Sequence, residues 1–401
     1  MKLPMEQIAN LESEILKRVR ACPGISRITL ARDLQIAPST VGNYVARLCT
    51  EGFLTEIKNA PSETGRPPTA LRLNPDGGQF IGVDFEARNI MAMAVDFSDT
   101  PLRHVHKTIE EADTVSQILK KIEQAITAVL PENPSRLLAI GVGVPGLVDA
   151  DNGVALRYKH IKKWENVALA APLAEKFGVP VFLENCVRSM ALAEMWFGHG
   201  RGQENFLCIG IRTGIGAGIV AGGQLQRGAA HHAGEIGRWR YPWPESPLIR
   251  FFGDPSLPWP ADVELEDVAS VRAIIGALER ARRAKEKTIL TVKSGPITFP
   301  DVVRAAQQRD PLTVQIIEVS ADMLGRAVSQ LIFALNPAQV ILAGPLTLLG
   351  GTLLYPLRER VALLLGASDS DMPAIVNSTM GEYNGALGAA ALAVHEWKPA
   401  R

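Results

Sequence analysis

The spacing of apolar residues divides the chain into a short helical segment and a long alternating one. Over "IANLESEILKRV", Ile8, Leu11, Ile15 and Val19 recur at helical spacing. "SRITLARDL" repeats that period, with Ser26 placed as a cap. "QIAPST" is a short turn, and Pro38 suits a first helical turn, where its missing N–H has no partner to lose. The next helix, "STVGNYVARLCTEG", turns Val41, Val45 and Leu48 inward and leaves Ser39, Thr40, Asn43, Tyr44 and Arg47 on its other faces. "GFLTEIKNAPSETGRPPTALRLN" then predicts two short strands around a Gly/Pro loop, a wing.

From Gln79 the period alternates between strand and helix. "QFIGVDF" and "IMAMAVDF" predict a strand pair, "LRHVHKTI" a third strand and "TVSQILKKIEQAITAVL" a helix. "RLLAIGVGVPGLVD" reads as a buried strand ending in a Gly/Pro loop. A helix, the strand "VPVFL" and a helix from 186 follow. A similar opening recurs: "NFLCIGI", the turn "RTGIG" and "AGIVAGG" again give strand, polar turn, strand. A long helix over 311–335 leads into the strand "AQVILAGP". Two halves that each open on a strand hairpin predict a duplicated α/β fold with a cleft between lobes.

Composition narrows the class. The chain has 401 residues, too many for one ordinary core, so two or three domains are expected. No apolar run reaches the roughly 18 residues of a membrane span, and the N-terminus has no signal-peptide core. Cys22, Cys49, Cys186 and Cys208 are scattered without a CxxC pair, which points to a reducing cytoplasm and away from a disulfide framework or a cysteine zinc site. Net charge is zero, but residues 1–73 carry ten Lys or Arg against seven Asp or Glu, a balance of +3.

That excess draws attention to the third helix. Between Asp33 and Glu51 its only charged residue is Arg47. A helix entering the major groove keeps carboxylates away from phosphate and offers short hydrogen-bonding side chains to base edges. Ser39, Thr40, Asn43, Tyr44 and Arg47 are therefore the candidate DNA contacts. Arg66, held extended in "TGRPP", is the candidate for a narrow groove. A small helical interaction module and a plain linker are the competing readings.

The segments "IGVDF", "GVGVPGLVD", "LEN…ALAE", "TGIGAGIVAGG", "AGEIG" and "NPAQVILAG" occur in the order seen in ROK proteins (repressors, open reading frames, kinases), and the chain resembles that family over nearly its whole length. The helix-turn-helix in front looks like that of the family's sugar-responsive repressors. The resemblance implies an α/β chain with an N-terminal winged helix-turn-helix over 1–73 and a two-lobed, actin-like sugar-kinase-like domain. Its first lobe spans 79–190, with a helix at 384–398 returning to it, and its second spans 191–383.

The departures from the family bear on function. Its kinases have Asp-Gly-Gly-Thr in the first hairpin, where this chain has Asp84, Phe85, Glu86 and Ala87. A Phe and a Glu in place of two glycines oppose a phosphate cradle. The family's catalytic base is the Asp of Glu-Asn-Asp, and here that position is Cys186. A thiol does not replace that carboxylate. The family's zinc histidine is replaced by Arg238, and no cysteine follows Cys208, so no metal and no catalytic residue is expected. What matches is sugar chemistry. Asn185, Glu235 and Glu266 correspond to residues that hydrogen-bond sugar hydroxyls, with Arg238 beside them. Plain structural roles compete for each. The expectation is a cytoplasmic repressor, a homodimer or dimer of dimers on double-stranded operator DNA, with a sugar or sugar-derivative effector, no cofactor and no membrane. An active sugar kinase with a DNA module, or an effector-independent DNA-binding protein, is the alternative.

Overall fold

A computed structural model describes residues 5–58, 69–253, 260–292, 295–366, 368 and 371–399. The chain divides into two compact units, Met1–Ser189 with Gly385–Arg401 and Met190–Asn384.

The first unit begins with α1 (Met5–Ala21), α2 (Arg27–Asp33) and α3 (Pro38–Thr50), followed by β1 (Leu54–Lys58) and β2 (Thr69–Leu73). Ser26 caps α2 by accepting from the Thr29 N–H at 3.1 Å. Pro38 opens α3, which buries Val41, Val45 and Leu48. β1 and β2 pair antiparallel, Leu54 facing Leu73, as a wing. The residues between β2 and β3 make one 3-10 turn, Pro75–Gly77, with Asn74 accepting from the Asp76 N–H.

The lobe that follows contains β3 (Gln79–Phe85), β4 (Asn89–Asp96), β5 (Pro101–Thr108), α4 (Val115–Ala128) and β6 (Leu137–Val144). Three short strands come next, β7 (Leu147–Asp149), β8 (Val154–Arg157) and β9 (Glu165–Ala168), then α5 (Ala170–Phe177), β10 (Val181–Asn185) and α6 (Cys186–Phe197). The main sheet runs β10-β6-β3-β4-β5. The small β7-β8-β9 sheet is not foreseen in the sequence, because its strands are three or four residues long and too short to show a period.

The second unit repeats the plan. It holds β11 (Phe206–Ile211), β12 (Ile215–Ala221), β13 (Gln224–Leu225), β14 (Arg240–Pro242) and β15 (Asp262–Glu264). The helices α7 (Leu265–Ala269), α8 (Val271–Arg283), α9 (Phe299–Gln307) and α10 (Pro311–Leu335) follow. β16 (Gln339–Ala343), α11 (Gly351–Leu365) and β17 (Ala374–Asn377) complete it. Its sheet runs β13-β12-β11-β16-β17. In both halves an antiparallel hairpin continues into two parallel strands, so the duplicated α/β plan expected from the sequence is present. The amphipathic α10 starts at the Asp310 cap and stops where Asn336 turns left-handed, φ 43°.

The last helix, α12 (Asn384–Glu396), lies on the first sheet. Gly82 of β3 and Gly141 of β6 are register partners, and together they open a flat patch. A Cβ at Gly82 would meet the Ala386 carbonyl at 1.9 Å, and one at Gly141 would meet that of Ala389 at 1.8 Å. Ala386, Ala389, Ala390 and Ala393 are buried there. Small residues on both sides let helix and strand backbones touch.

The winged head is fastened to this lobe by a buried ion pair. Arg20 donates from Nε to Asp99 at 2.7 Å, and both side chains are about nine-tenths buried. Burial pushes the Asp99 carboxyl up to about 6, although Arg20 draws it down, and burial also lowers Arg20. Native Asp99 therefore holds its proton more tightly than unfolded Asp99 does. Its contribution to stability is largest below about pH 4 and is lost as pH rises through about 6. The stability of the wild type minus that of Asp99→Asn should accordingly fall between those values and level off above them. Urea titrations of both proteins at half-unit pH steps test this, and a difference that rises with pH would contradict it.

Candidate functional site

On α3, Ser39 and Asn43 are exposed, and Thr40, Tyr44 and Arg47 are half-buried. Ala46 and Thr50 are also exposed, so the outward surface is short, uncharged and free of carboxylates up to Glu51. Arg27 of α2 holds this helix in place, donating to Glu56 of the wing at 2.8 Å and to the Gly42 carbonyl at 3.3 Å. Arg47 differs from the expectation. Its guanidinium is ion-paired with Glu12 of α1, which is fully buried, lies near Glu51, and sits 4.9 Å from the Tyr44 ring. It therefore fastens α3 to α1 instead of pointing outward with Asn43. Arg66 falls outside the described residues. Arg32 of α2, its side chain 79% exposed, is a further outward-facing cation on the head. Its helical position alone gives no direction, and only the packed head shows that it is outside.

In the first lobe the hairpin that follows Asp84 is filled from within. Phe85 is fully buried, its ring 5.2 Å from Trp164 and nearly edge-on at 64°. Glu86 is buried in the turn, where its N–H donates to the Asn89 carbonyl and its carboxylate accepts from Asn89 Nδ2 at 3.3 Å. Asp84 is buried too, against Gly143 and Gly385; a Cβ on Gly385 would come within 2.3 Å of its carboxylate. Cys186 is buried at the start of α6, beside Gly143.

Asn185 precedes Cys186 and acts on the backbone. Its Oδ1 accepts from the N–H groups of Val187 and Arg188 at 2.9 and 3.3 Å, and its Nδ2 donates to the Gly146 carbonyl at 2.9 Å. It thus caps α6 and ties it to the "VPGLV" loop, leaving one amide hydrogen to spare. Glu184 lies beneath, bonded to the Asn185 N–H at 2.8 Å and to Arg188 Nε at 2.6 Å, the ion pair almost wholly buried.

In the second unit the Gly-rich hairpin and "AGEIG" come together. Gly234, at φ 85°, gives its carbonyl to the Ala217 N–H at 2.8 Å; a Cβ there would meet the Ala217 oxygen at 1.8 Å, so glycine is required. Glu235 leads a single 3-10 turn, Ile236–Arg238, and is half-buried, whereas Arg238 is exposed. Glu266 of α7 is buried, and its carboxylate lies over two glycines: a Cβ on Gly214 or on Gly237 would stand 2.9 Å from Oε2. Glu266 therefore adjoins both the β11–β12 turn and the turn that carries Glu235 and Arg238. A carboxylate set against backbone from two turns supplies fixed acceptors of the kind vicinal hydroxyls use.

The sequence profile of the ROK family matches residues 80–396. The xylose repressor of Caldicellulosiruptor bescii is 28% identical over 351 residues, 86% of this chain and 85% of its own. Among solved structures, a ROK family transcriptional regulator described as a homologue of the E. coli MLC protein superposes with a TM-score of 0.76 at 25% identity, covering 97% of this chain and 96% of its own. A ROK glucokinase from Streptomyces griseus, in complex with glucose and AMPPNP, gives a TM-score of 0.67 at 28% identity, covering 79% of this chain and 99% of its own.

Proposed function

The chain belongs to the ROK family, and from that premise we propose that it is a DNA-binding transcriptional repressor that takes a sugar or sugar derivative as effector. One observation carries the reading. The winged head, which lies outside the span matched by the family profile, presents on α3 an exposed, carboxylate-free surface of Ser39 and Asn43. Asn43→Ala should weaken specific binding by about 1–3 kcal/mol, the worth of a good base contact, and leave non-specific binding in place. Fluorescence anisotropy on selected and scrambled duplexes measures both, and equal losses on the two would contradict the assignment.

The kinase-like domain is proposed to bind without turning over ATP. Two features support this: Phe85 and Glu86, which the family resemblance aligns with the kinases' phosphate cradle, are buried, and the position it aligns with their base is a buried Cys186. In the second unit, Glu235, Glu266 and the exposed Arg238 are assigned to the effector, and Arg238 favours an anionic one. No helix among the described residues is long and apolar enough to cross a membrane; action in the cytoplasm belongs to the proposal. So does assembly into a homodimer or dimer of dimers.

The test is a thermal-shift screen of xylose, glucose, their phosphates and uronic acids, with ATP turnover measured on every hit. Stabilisation by at least one sugar without ATP consumption is expected. Sugar-dependent ATP consumption would replace this reading with a kinase.

A further inference from the structure

The link between the head and the first lobe is five residues long, 74–78, and it is held at its start and at its middle. Asn74 Nδ2 donates to the Gly52 carbonyl at 2.7 Å, and Arg136 Nη2 donates to the Asp76 carbonyl at 2.6 Å. Gly77 leaves little room for a side chain, since a Cβ would lie 3.1 Å from both the Gly52 oxygen and the Phe97 ring. A link of this kind does not swing as an unpinned linker does.

Beside it the tip of the β4–β5 hairpin forms a socket. Asp96 shapes the tip by accepting from the N–H groups of Ser98 and Thr100 and from the Ser98 hydroxyl. Asp99 takes a left-handed backbone there, φ 70°, and its carboxylate meets Arg20 from the last turn of α1. The same guanidinium donates to the Phe97 carbonyl at 2.9 Å and lies 5.5 Å from the Phe97 ring.

Phe97 is also one of four packed rings. It lies 5.1 Å from Phe53, 5.9 Å from Phe80 and 5.8 Å from Trp397. Phe53 and Phe80 stand 5.3 and 5.7 Å from Trp397. The rings come from three places: Phe53 just past the end of α3, Phe80 of β3 with Phe97 of the β4–β5 turn, and Trp397 just past α12. Phe53, just past the proposed reading helix, is thus wedged into the lobe. The directional ion pair resists rotation of the head and the rings fix its distance.

We propose that Arg20, Asp99, Phe97 and Trp397 are positioning residues for operator recognition: they join head and first lobe into one body, so that the kinase-like domain sets the spacing and facing of two heads on DNA. The proposal rests on the repressor reading and adds residues that touch no DNA to it. A rigid joint makes the second head's binding nearly intramolecular, and a loosened one loses that gain.

The experiment compares the full-length wild type with Arg20→Gln/Asp99→Asn and with Trp397→Ala. Duplexes enriched from a random library by the wild type serve as full sites, as single half-sites, and as full sites with about 5 base pairs inserted, half a helical turn. Wild type should lose at least about tenfold in affinity on the insertion. Both variants should bind the unaltered full site at least about tenfold more weakly and be nearly indifferent to the insertion. Their half-site affinity should match wild type, which shows that the head is folded. Variants that keep full-site affinity and spacing preference overturn the proposal.

A second readout needs no DNA. Spin labels on Arg32→Cys and Lys120→Cys, with Cys22 and Cys49 replaced by serine, report the head-to-lobe distance. One narrow distribution is expected with the joint intact and a broad one in the double variant. A broad distribution with the joint intact overturns the joint whatever the DNA result. A narrow one with no enriched duplex overturns the proposal through its premise, and the repressor reading with it.

Discussion

Arg47→Ala should unfold the DNA head. Removing the guanidinium strands Glu12, which is fully buried under α3. Breaking a buried pair from one side costs about 3–5 kcal/mol, more than the roughly 1–3 kcal/mol of a lost base contact. Arg47 is itself one-third exposed, which places the loss toward the lower figure. The change should be seen as lost hydrogen-exchange protection across α1 and α3, with the lobe sheets unchanged. Removing both charges tells destabilisation apart from lost DNA contact: Glu12→Leu/Arg47→Met should recover most of the protection, because a well-packed apolar pair replaces a buried ion pair at little cost. If Arg47→Ala keeps full protection yet loses operator affinity, the arginine leaves Glu12 to read DNA.

The second large effect lies in the first sheet. Gly82→Ala and Gly141→Ala should each destabilise the first unit by about 3 kcal/mol or more, at or beyond the upper end of ordinary overpacking. The new methyl would meet a backbone carbonyl of α12, which cannot change rotamer, and the helix would have to lift from two adjacent strands. Trp397 follows that helix and packs against Phe53, so its emission should shift with the first unfolding transition. Gly178→Ala is the matched control: no atom lies within 4 Å of its Cβ position, so its cost is only that of a left-handed backbone, φ 70°. Equal effects at all three glycines would contradict the packing argument.

The sequence shows those parts whose cause is local. Val41, Val45 and Leu48 mark α3 by spacing alone, and Pro38 marks its start. The two hairpins are visible because strand, polar turn and strand lie close together in sequence, over 79–96 and 206–221. Residues whose role depends on a distant partner are not visible. Glu12 reads as solvent-facing polarity on an amphipathic helix until Arg47 is laid against it. Trp397 lies some 300 residues from Phe97 in sequence, and nothing near either one announces the other. Asn185 shows a third limit: a residue type suited to sugar hydroxyls is equally suited to a helix cap, and the folded chain uses it as a cap. Glu266 and the Glu235 turn meet only because α7 returns beneath two glycines, Gly214 and Gly237.

The central claim is a DNA-binding repressor governed by a sugar, and one titration tests it most directly. A labelled duplex enriched by the full-length chain is titrated with the protein at near-physiological salt, with and without the sugar that stabilises the protein in the thermal screen. The account predicts specific binding at least about a thousandfold tighter than to a scrambled duplex, weakened by the sugar about 5- to 150-fold, the usual range of coupling between two sites. Binding indifferent to sequence, or specific binding that no stabilising sugar alters, would contradict it.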